Sequence, residues 1–289
     1  MKSAIELTKV YKRFGTTVAL NGISFAVFPG EIMGFLGPNG AGKTTTIRCL
    51  MDFLRPDQGS ISILGKDAHL ESSAVKHEIG FLGGDVHLYN DWTGADHIRL
   101  IKQIRQTPTT EADLINRLQF DPKKRVKSLS TGNRQKLGLI LALMHQPKLL
   151  ILDEPTNGLD PILQNVIYTL LREAAATGTT ILMSSHNLSE VEKICDRVTI
   201  IRQGKIVATE KIHDLVKKRI YHITAQLAKP TKKLVLPAHI EQLDSDNTTI
   251  KLRAQGNIQT ALKLLATLDI VDAEITHASL EETFLKFYE

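Results

Sequence analysis

The chain has 289 residues, 42% of them hydrophobic and 23% charged, which suits one large globular domain, alone or with a small one. No run approaches the ~18 uninterrupted apolar residues that a membrane-spanning helix needs, and the N-terminus lacks the pattern of a secretory signal. The net charge of +5 comes from basic residues interleaved with acids, so we expect no nucleic-acid partner.

Short strands and one helix are predicted in the first third of the chain. Three strand-like runs open the sequence, at residues 4–7, 18–28 and 31–36. After the third run, apolar residues recur at three- and four-residue spacing, which predicts a helix that ends before Pro56. Two further strands are predicted at residues 59–64 and 79–82.

The middle of the chain changes from helical patterns back to strands. Residues from about 88 to 146 show mostly helical patterns, which predicts an inserted helical subdomain. Apolar strands at 148–152 and 179–184 flank a helix predicted at 161–176. This strand–helix–strand alternation is typical of a parallel sheet in an α/β core.

The organisation shifts again near residue 218, where shorter strands alternate with amphipathic helices. Those two helices are predicted at residues 258–268 and 280–287. We therefore divide the chain into a large domain at residues 1–218 and a small α+β accessory domain at residues 219–289.

A glycine-rich loop carries the strongest functional signal. The segment Gly37-Pro38-Asn39-Gly40-Ala41-Gly42-Lys43-Thr44 fits G-x-x-x-x-G-K-[ST] and lies between a predicted strand and a predicted helix. Backbone N–H groups of such a loop converge on phosphate oxygens, and the helix adds its positive dipole end. We predict that Lys43 reaches the β- and γ-phosphates of ATP, that the Thr44 hydroxyl binds Mg²⁺, and that Thr45 completes the site. The alternative is a glycine-rich turn that binds nothing.

Two acids follow the next apolar strand. Asp153 and Glu154 end the run 149–152, and such a strand delivers its last residues to the edge of the sheet where ligands bind. We predict that Asp153 holds Mg²⁺, directly or through water, and that Glu154 polarises the attacking water as a general base. The alternative is an exposed Asp-Glu turn before Pro155.

Three further segments accompany these motifs in a fixed order. They are Leu129-Ser130-Thr131-Gly132-Asn133-Arg134-Gln135, Asn157-Gly158-Leu159-Asp160-Pro161 and Ser184-Ser185-His186. With the two motifs above, this order resembles the nucleotide-binding subunit of ATP-binding cassette (ABC) transporters, over about residues 3 to 215. The resemblance implies an ATPase with the P-loop NTPase α/β fold, in which an antiparallel β subdomain and an inserted helical subdomain join the core.

The resemblance also implies a site shared between two copies of the chain. Ser130, Thr131 and Gly132 match the signature motif, which in this family contacts the γ-phosphate held by the opposite subunit. Asp160 matches the loop that links the two active sites across the dimer. The family usually has Ser-Gly-Gly-Gln where this chain has Ser-Thr-Gly-Asn, which leaves the strength of these contacts open.

Four more positions take their interpretation from the resemblance. His186 matches the switch histidine that bonds the γ-phosphate and helps to orient the water, and Tyr11 matches the aromatic that stacks on adenine. Gly84 stands where the family has a glutamine that senses the metal and signals to the membrane partner. Asp85 is a candidate metal ligand in its place; a moving loop at residues 85–92 is the other possibility.

The resemblance therefore predicts a dimer that closes around two ATP molecules and drives a separate transmembrane permease. We expect the chain to lie in the cytoplasm, on the inner face of the cell membrane, and to serve an exporter. The alternative is a single-cassette ATPase that acts on a partner outside transport. A third possibility, a regulator that binds ATP without hydrolysing it, fits poorly with the carboxylate of Glu154.

Overall fold

The computed structural model describes residues 2–106, 109–217, 220–229, 236–245, 248–256 and 258–277. The chain forms two compact units, Met1–Glu210 and Lys211–Glu289. The observed boundary lies one short helix earlier in the chain than the one expected after residue 218, because the helix Ile212–Lys217 belongs to the second unit. The helix predicted at residues 280–287 lies outside the described residues.

The first unit combines two sheets with helices. Its strands are β1 (Ile5–Phe14), β2 (Thr17–Val27), β3 (Ile32–Leu36), β4 (Gln58–Ile63), β5 (Lys66–Asp67), β6 (Ile79–Leu82), β7 (Leu149–Asp153), β8 (Thr180–Ser185), β9 (Arg197–Arg202) and β10 (Lys205–Lys211). Its helices are α1 (Lys43–Leu50), α2 (Ser72–His77), α3 (Gly94–Arg105), α4 (Glu111–Arg117), α5 (Thr131–Leu143), α6 (Pro161–Ala176) and α7 (Leu188–Ile194). Among the described residues, no helix combines the length and the apolar character needed to cross a membrane.

The larger sheet has the strand order β10-β9-β3-β8-β7-β6. The neighbours β9, β3, β8, β7 and β6 run parallel to one another. Every residue of β3, β7 and β8 is buried, which explains why these strands read as nearly continuous apolar runs in the sequence. The predicted α/β core is confirmed.

The smaller sheet has the order β2-β1-β4-β5 and is antiparallel. Its buried face joins the core of the larger sheet, where the rings of Phe25 and Phe35 stack with centroids 5.1 Å apart. The helices α3, α4 and α5 lie in the chain between β6 and β7. These are the antiparallel subdomain and the inserted helical segment that the resemblance implied.

The second unit contains a short helix, α8 (Ile212–Lys217), and a sheet against which a longer helix packs. Its remaining elements are β11 (Ile220–Leu227), β12 (Ile240–Ser245), β13 (Thr249–Gln255), α9 (Ile258–Leu265) and β14 (Ile270–His277). The antiparallel sheet has the order β12-β13-β11-β14. Alternate residues of β13 face an apolar core that includes Leu252 and Ala261, which gives the alternating pattern visible in the sequence.

Candidate active site

Three neighbouring parallel strands deliver the predicted motifs to one edge of the large sheet. In the pairing register, Leu36 of β3 lies opposite Ser185 of β8, and Ser184 lies opposite Asp153 of β7. The segments that follow these strands therefore leave the sheet side by side. This edge is where ligands bind in open α/β sheets.

The glycine-rich loop follows β3 and leads into α1. Two of its glycines have no room for a side chain: a Cβ on Gly37 would lie 2.4 Å from the carbonyl oxygen of Ile201. Gly42 is the N-cap of α1 with φ 112°, and a Cβ there would lie 2.8 Å from the carbonyl oxygen of Ala19. The loop can therefore curl tightly, and the N-terminus of α1 opens at the edge of the sheet.

Lys43 is buried and crosses this loop. Its Nζ donates hydrogen bonds to the carbonyl oxygens of Gly37 (2.6 Å) and Pro38 (3.3 Å), and lies 3.4 Å from Oε1 of Glu154. The ammonium group thus lies between the loop and the end of β7. An anion bound there would meet a cation that is already in place.

Asp153 is held by hydroxyl groups from two other segments. Thr44 donates to its Oδ2 at 3.0 Å, and Ser184 donates to its Oδ1. The side chain is only 2% exposed, so its orientation is fixed by these contacts. The Thr44 hydroxyl and the Asp153 carboxylate form an oxygen donor set that suits Mg²⁺, which is bound in such sites through one or two carboxylates.

Glu154 adopts a strained backbone conformation that its neighbours support. Its φ of 52° lies in the left-handed region, which costs a non-glycine residue about 1–3 kcal/mol. The hydroxyl of Ser184 accepts from its N–H at 3.0 Å, and Nε2 of the buried Gln135 donates to its carbonyl oxygen at 3.2 Å. Gln135 lies on α5, so the helix that begins with the Ser130 motif also holds Glu154.

The carboxylate of Glu154 meets His186. The distance from its Oε2 to Nδ1 of His186 is 2.8 Å, and because a carboxylate only accepts, the imidazole nitrogen donates. The ring of His186 is exposed at the end of β8. A carboxylate that can accept a proton from a bound water therefore lies beside an imidazole that donates a hydrogen bond to it.

These groups line a cleft of about 330 Å³, the size of a small-molecule site. The lining residues are Thr17, Val18, Ala19, Pro38, Asn39, Gly40, Gly42, Lys43, Thr44, Thr45, Gly84, Asp153, Glu154, Asn157 and His186. The predicted loop at residues 37–44 thus contributes six of its eight positions, while Gly37 and Ala41 are buried and are not among the lining residues. No motif marked Thr17–Ala19, because they are the first residues of β2, directly after the hairpin turn and far from the motifs in the sequence.

Tyr11 does not line this cleft. Its ring lies over Gly22 of the neighbouring strand, where an added Cβ would be 2.6 Å from the phenolic oxygen. Phe14, three residues on, is 50% exposed at the end of β1 and pairs with Thr17, which does line the cleft. The signal that points to Phe14 is its position beside Gly15 at the hairpin turn, which exposes an aromatic ring.

Asp85 and Gly84 also differ from expectation. Asp85 is exposed and is not among the described residues that line the cleft, whereas Gly84 is. A Cβ on Gly84 would lie 3.3 Å from Oδ2 of Asp153. The position therefore faces the predicted metal ligand, although glycine brings no side chain to it.

The Ser130 motif lies outside the cleft of its own chain. Ser130 is the N-cap of α5, and its hydroxyl accepts hydrogen bonds from the backbone N–H (3.3 Å) and side-chain amide (3.1 Å) of Asn133. Ser130 and Thr131 are exposed, and Gly132 packs near Leu159. Asp160 caps α6 by accepting from the N–H of Leu163 at 2.9 Å. Within one copy, Ser130 and Thr131 are thus exposed and do not reach the groups around Lys43.

Several known proteins are similar in sequence to this chain. The sequence profile of the ABC transporter family matches residues 20–157. The chain is 33% identical to the bacitracin transport ATP-binding protein BcrA of Bacillus licheniformis, over 99% of this chain and 97% of that protein. It is also 33% identical to the ABC transporter ATP-binding protein YhcH of Bacillus subtilis, over 99% and 96% of the two chains. The Nod factor export ATP-binding protein I of Rhizobium sp. (strain N33) shares 35% identity over 76% and 74%.

Solved structures share the fold of the larger unit. An ATP-binding subunit of an ABC transporter superposes with a TM-score of 0.69 and 27% identity, over 74% of this chain and 92% of that one. A dimeric cassette in a post-hydrolysis state bound to ADP and phosphate superposes with a TM-score of 0.65 at 21% identity, over 72% and 98%. The chain therefore belongs to the ABC transporter family, as an ATP-binding subunit with ATPase activity.

Proposed function

We propose that this chain forms a dimer around two ATP molecules and that the dimer drives a separate membrane permease. The observation that carries the proposal is the separation of the two halves of the predicted site. The Lys43 loop lines the cleft, while Ser130 and Thr131 are exposed at a helix N-terminus outside it. Such an N-terminus attracts an anion, so a second copy can present it to the phosphates that the first copy binds.

Binding of ATP follows from the lining of the cleft. The phosphates lie along the N–H groups of the Gly37–Thr44 loop, where Lys43 exchanges its contact with Glu154 for a phosphate oxygen. Phe14, rather than Tyr11, is placed to stack on the adenine ring, because it is exposed beside the cleft residue Thr17. Thr44 and Asp153 would hold Mg²⁺, which would neutralise charge that develops on the phosphate oxygens.

Hydrolysis uses the carboxylate beside the bound γ-phosphate. Glu154 accepts a proton from the attacking water, and His186, already 2.8 Å from Glu154, donates a hydrogen bond that fixes the carboxylate. The positive φ of Glu154 aims its side chain into the cleft. Loss of the γ-phosphate removes the anion that both copies contact, so the dimer opens after each turnover.

The permease contact is proposed for the surface that follows Gly84. Tyr89 and Trp92 are both exposed there and lie against each other with ring centroids 4.8 Å apart, and His97 of α3 packs against both rings. Exposed aromatic side chains are favoured anchors in protein interfaces. With a permease bound, the chain would lie at the cytoplasmic face of the membrane.

An exporter is the favoured kind of transporter. The relatives that match at 33% and 35% identity are named for bacitracin transport and for Nod factor export. The competing function is a cassette ATPase that acts on a partner outside transport, which this cleft would serve equally well.

Co-purification separates these two functions. The chain is isolated with an affinity tag from membranes of its native host, in mild detergent, and its companions are identified by mass spectrometry. A multispanning membrane protein in fixed proportion to the chain supports transport. Exclusive recovery with ribosomes or with a scaffold protein contradicts it. A chain with Tyr89 and Trp92 changed to serine is the control, and it should lose the permease while keeping its own ATP turnover.

A further inference from the structure

A buried carboxyl group lies behind the cleft, at a position that the motifs did not mark. Glu190 belongs to α7 and is 5% exposed. Its Oε2 accepts a hydrogen bond from the Ser185 hydroxyl at 2.6 Å, and its Oε1 accepts one from the Thr156 hydroxyl. Both hydroxyl groups are themselves on buried residues. The contact network is therefore shielded from solvent and has little freedom to rearrange.

The two partners of Glu190 adjoin the two residues that we assign to hydrolysis. Thr156 comes two residues after Glu154, and Ser185 comes directly before His186. Glu154 and His186 meet each other in the cleft at 2.8 Å. The segments after β7 and β8 are thus joined twice, once in front by the reacting groups and once behind through Glu190.

Other contacts restrict the same segments. The backbone carbonyl groups of Glu154 and Pro155 accept from the side-chain amide of Gln135, at 3.2 and 3.0 Å. The Ser185 hydroxyl also accepts from the N–H of Asn187 at 2.9 Å, which closes the turn that carries His186. The Ser184 hydroxyl joins the two segments at the level of the sheet, where it accepts from the N–H of Glu154. Glu190 adds a link behind the cleft, between Thr156 and Ser185.

The surroundings of Glu190 make its hydrogen bonds important. Burial raises the pKa of its carboxyl group, with the nearby charge of Glu154 acting in the same direction, while the hydroxyl groups of Ser185 and Thr156 oppose the rise. Tyr168 of α6 also faces this group, and burial, reinforced by the Glu190 charge, raises the pKa of its phenol to about 12. A buried carboxyl group of this kind depends on its hydroxyl partners for its position.

We propose that Glu190 is a positioning residue for ATP hydrolysis: it fixes the segment of Glu154 relative to that of His186. This inference rests on the proposed roles of those two residues. Glu190 itself touches neither substrate nor the attacking water. Loss of its contacts lets the general base and the imidazole move apart while the phosphate-binding loop stays intact. Turnover therefore depends on Glu190, whereas nucleotide binding does not.

The test removes one hydroxyl at a time from the network. In the full chain, Thr156→Val and Ser185→Ala should each lower kcat about tenfold, since small displacements of reacting groups have large effects on rate. The KM for Mg-ATP and the Kd for a fluorescent ATP analogue should stay near the wild-type values, and the Tm should fall no further than in Thr179→Val, which also loses a buried hydroxyl. The double variant should be no slower than Ser185→Ala alone, because Ser185→Ala already breaks the link that Thr156→Val breaks.

Variants of Glu190 itself supply the rescue. Glu190→Gln keeps one acceptor oxygen and adds an amide N–H that can donate to a hydroxyl oxygen. It should therefore retain turnover within about threefold of wild type. Glu190→Met keeps the volume without either polar atom and should match Thr156→Val. The matched control is Thr179→Val, which removes a buried hydroxyl at the opposite end of β8, where it donates to the carbonyl oxygen of Pro147 at 2.9 Å. Its turnover should equal that of wild type.

A second readout does not use turnover. In a chain labelled with ¹⁵N-histidine, the imidazole signals of His186 are those that disappear in His186→Gln. These signals should shift in Thr156→Val and not in Thr179→Val. Unchanged kcat and unchanged His186 signals in Thr156→Val would overturn the inference. Equal falls in kcat, nucleotide affinity and Tm would overturn it too, because they indicate a structural role only. A wild-type chain that binds ATP and never hydrolyses it contradicts the proposed function first, and the inference with it.

Discussion

The surroundings of Lys43 and the segment at Ser130 are held in opposite ways. Lys43 and Asp153 are buried, and each contacts at least two other groups, of which Glu154 for Lys43 and both Thr44 and Ser184 for Asp153 come from another segment of the chain. Ser130 and Thr131 are exposed, and the hydroxyl of Ser130 contacts only Asn133 of its own helix among the described hydrogen bonds. The groups around Lys43 are held in place before a ligand binds, whereas the segment at Ser130 presents an exposed helix N-terminus. The difference indicates which half of the site needs a second molecule.

The largest effect should come from the organised region. Lys43→Ala removes the cation that contacts the loop and Glu154, and we expect turnover to fall about 10³-fold together with loss of ATP affinity. Steady-state phosphate release and binding of a fluorescent ATP analogue measure the two quantities. Lys148→Ala, which removes an exposed lysine at the far end of β7, is the control. Normal turnover in Lys43→Ala would show that the cleft is not the ATP site.

A change at the base should separate binding from chemistry. Glu154→Gln keeps the shape of the side chain and removes the proton acceptor, so hydrolysis should fall at least about 100-fold while ATP binding persists. Because ATP then remains bound, the two regions should stay together, and light scattering should detect a dimer at saturating ATP. The same variant without nucleotide is the control. A mass that equals one chain under both conditions argues against the shared site.

A change at the exposed region should act only in the dimer. Ser130→Ala removes one hydroxyl proposed to meet the γ-phosphate, and we expect turnover to fall about tenfold or more, the size of one hydrogen bond to a charged group. Binding of ATP to the cleft should stay unchanged. Ser128→Ala removes another exposed hydroxyl nearby and should leave turnover intact. If both serine variants behave alike, the exposed region has no part in the site.

The smallest effect is expected at Gly84. Gly84→Gln brings an amide oxygen beside Asp153, and we expect the Mg²⁺ concentration for half-maximal turnover to fall about threefold, since a direct ligand replaces a water. The measurement is a titration of turnover with Mg²⁺ at fixed ATP. Gly83→Ala, at a residue that is not among those lining the cleft, should leave the titration unchanged. An unchanged midpoint in Gly84→Gln would show that this position does not face the metal.

Some elements of secondary structure could be predicted from short segments of the sequence, whereas others could not. The helix at Pro161–Ala176 was predicted with the bounds that the structure has, and a proline at its first position marks its start. The strand β12 was not predicted, since its alternation is short and polar. Local signals were sufficient where they were strong.

The residue proposed to stack on adenine shows where local signals are insufficient. Tyr11 and Phe14 are both aromatic residues of β1, and the match to the family selected Tyr11, although Phe14 lies beside Gly15 at the turn. The irregular register of β1 against β2, with shifts near Val10 and Lys12, decides which ring lies over Gly22 and which is exposed near the cleft. Asp85, the candidate metal ligand, lies outside the cleft lining for a similar reason: the direction of the loop after β6 is set by tertiary packing.

The sequence by itself determined the chemistry: a phosphate loop with its lysine, two acids after an apolar strand, and a histidine after the next, since each is a short motif with its own physical role. The tertiary structure decided their relations. Only the parallel order β3-β8-β7 brings Lys43, His186 and Glu154 to one edge, and only folding brings Glu190 against Thr156 and Ser185. Contacts between residues far apart in the chain depend on strand order and register, which no local pattern encodes.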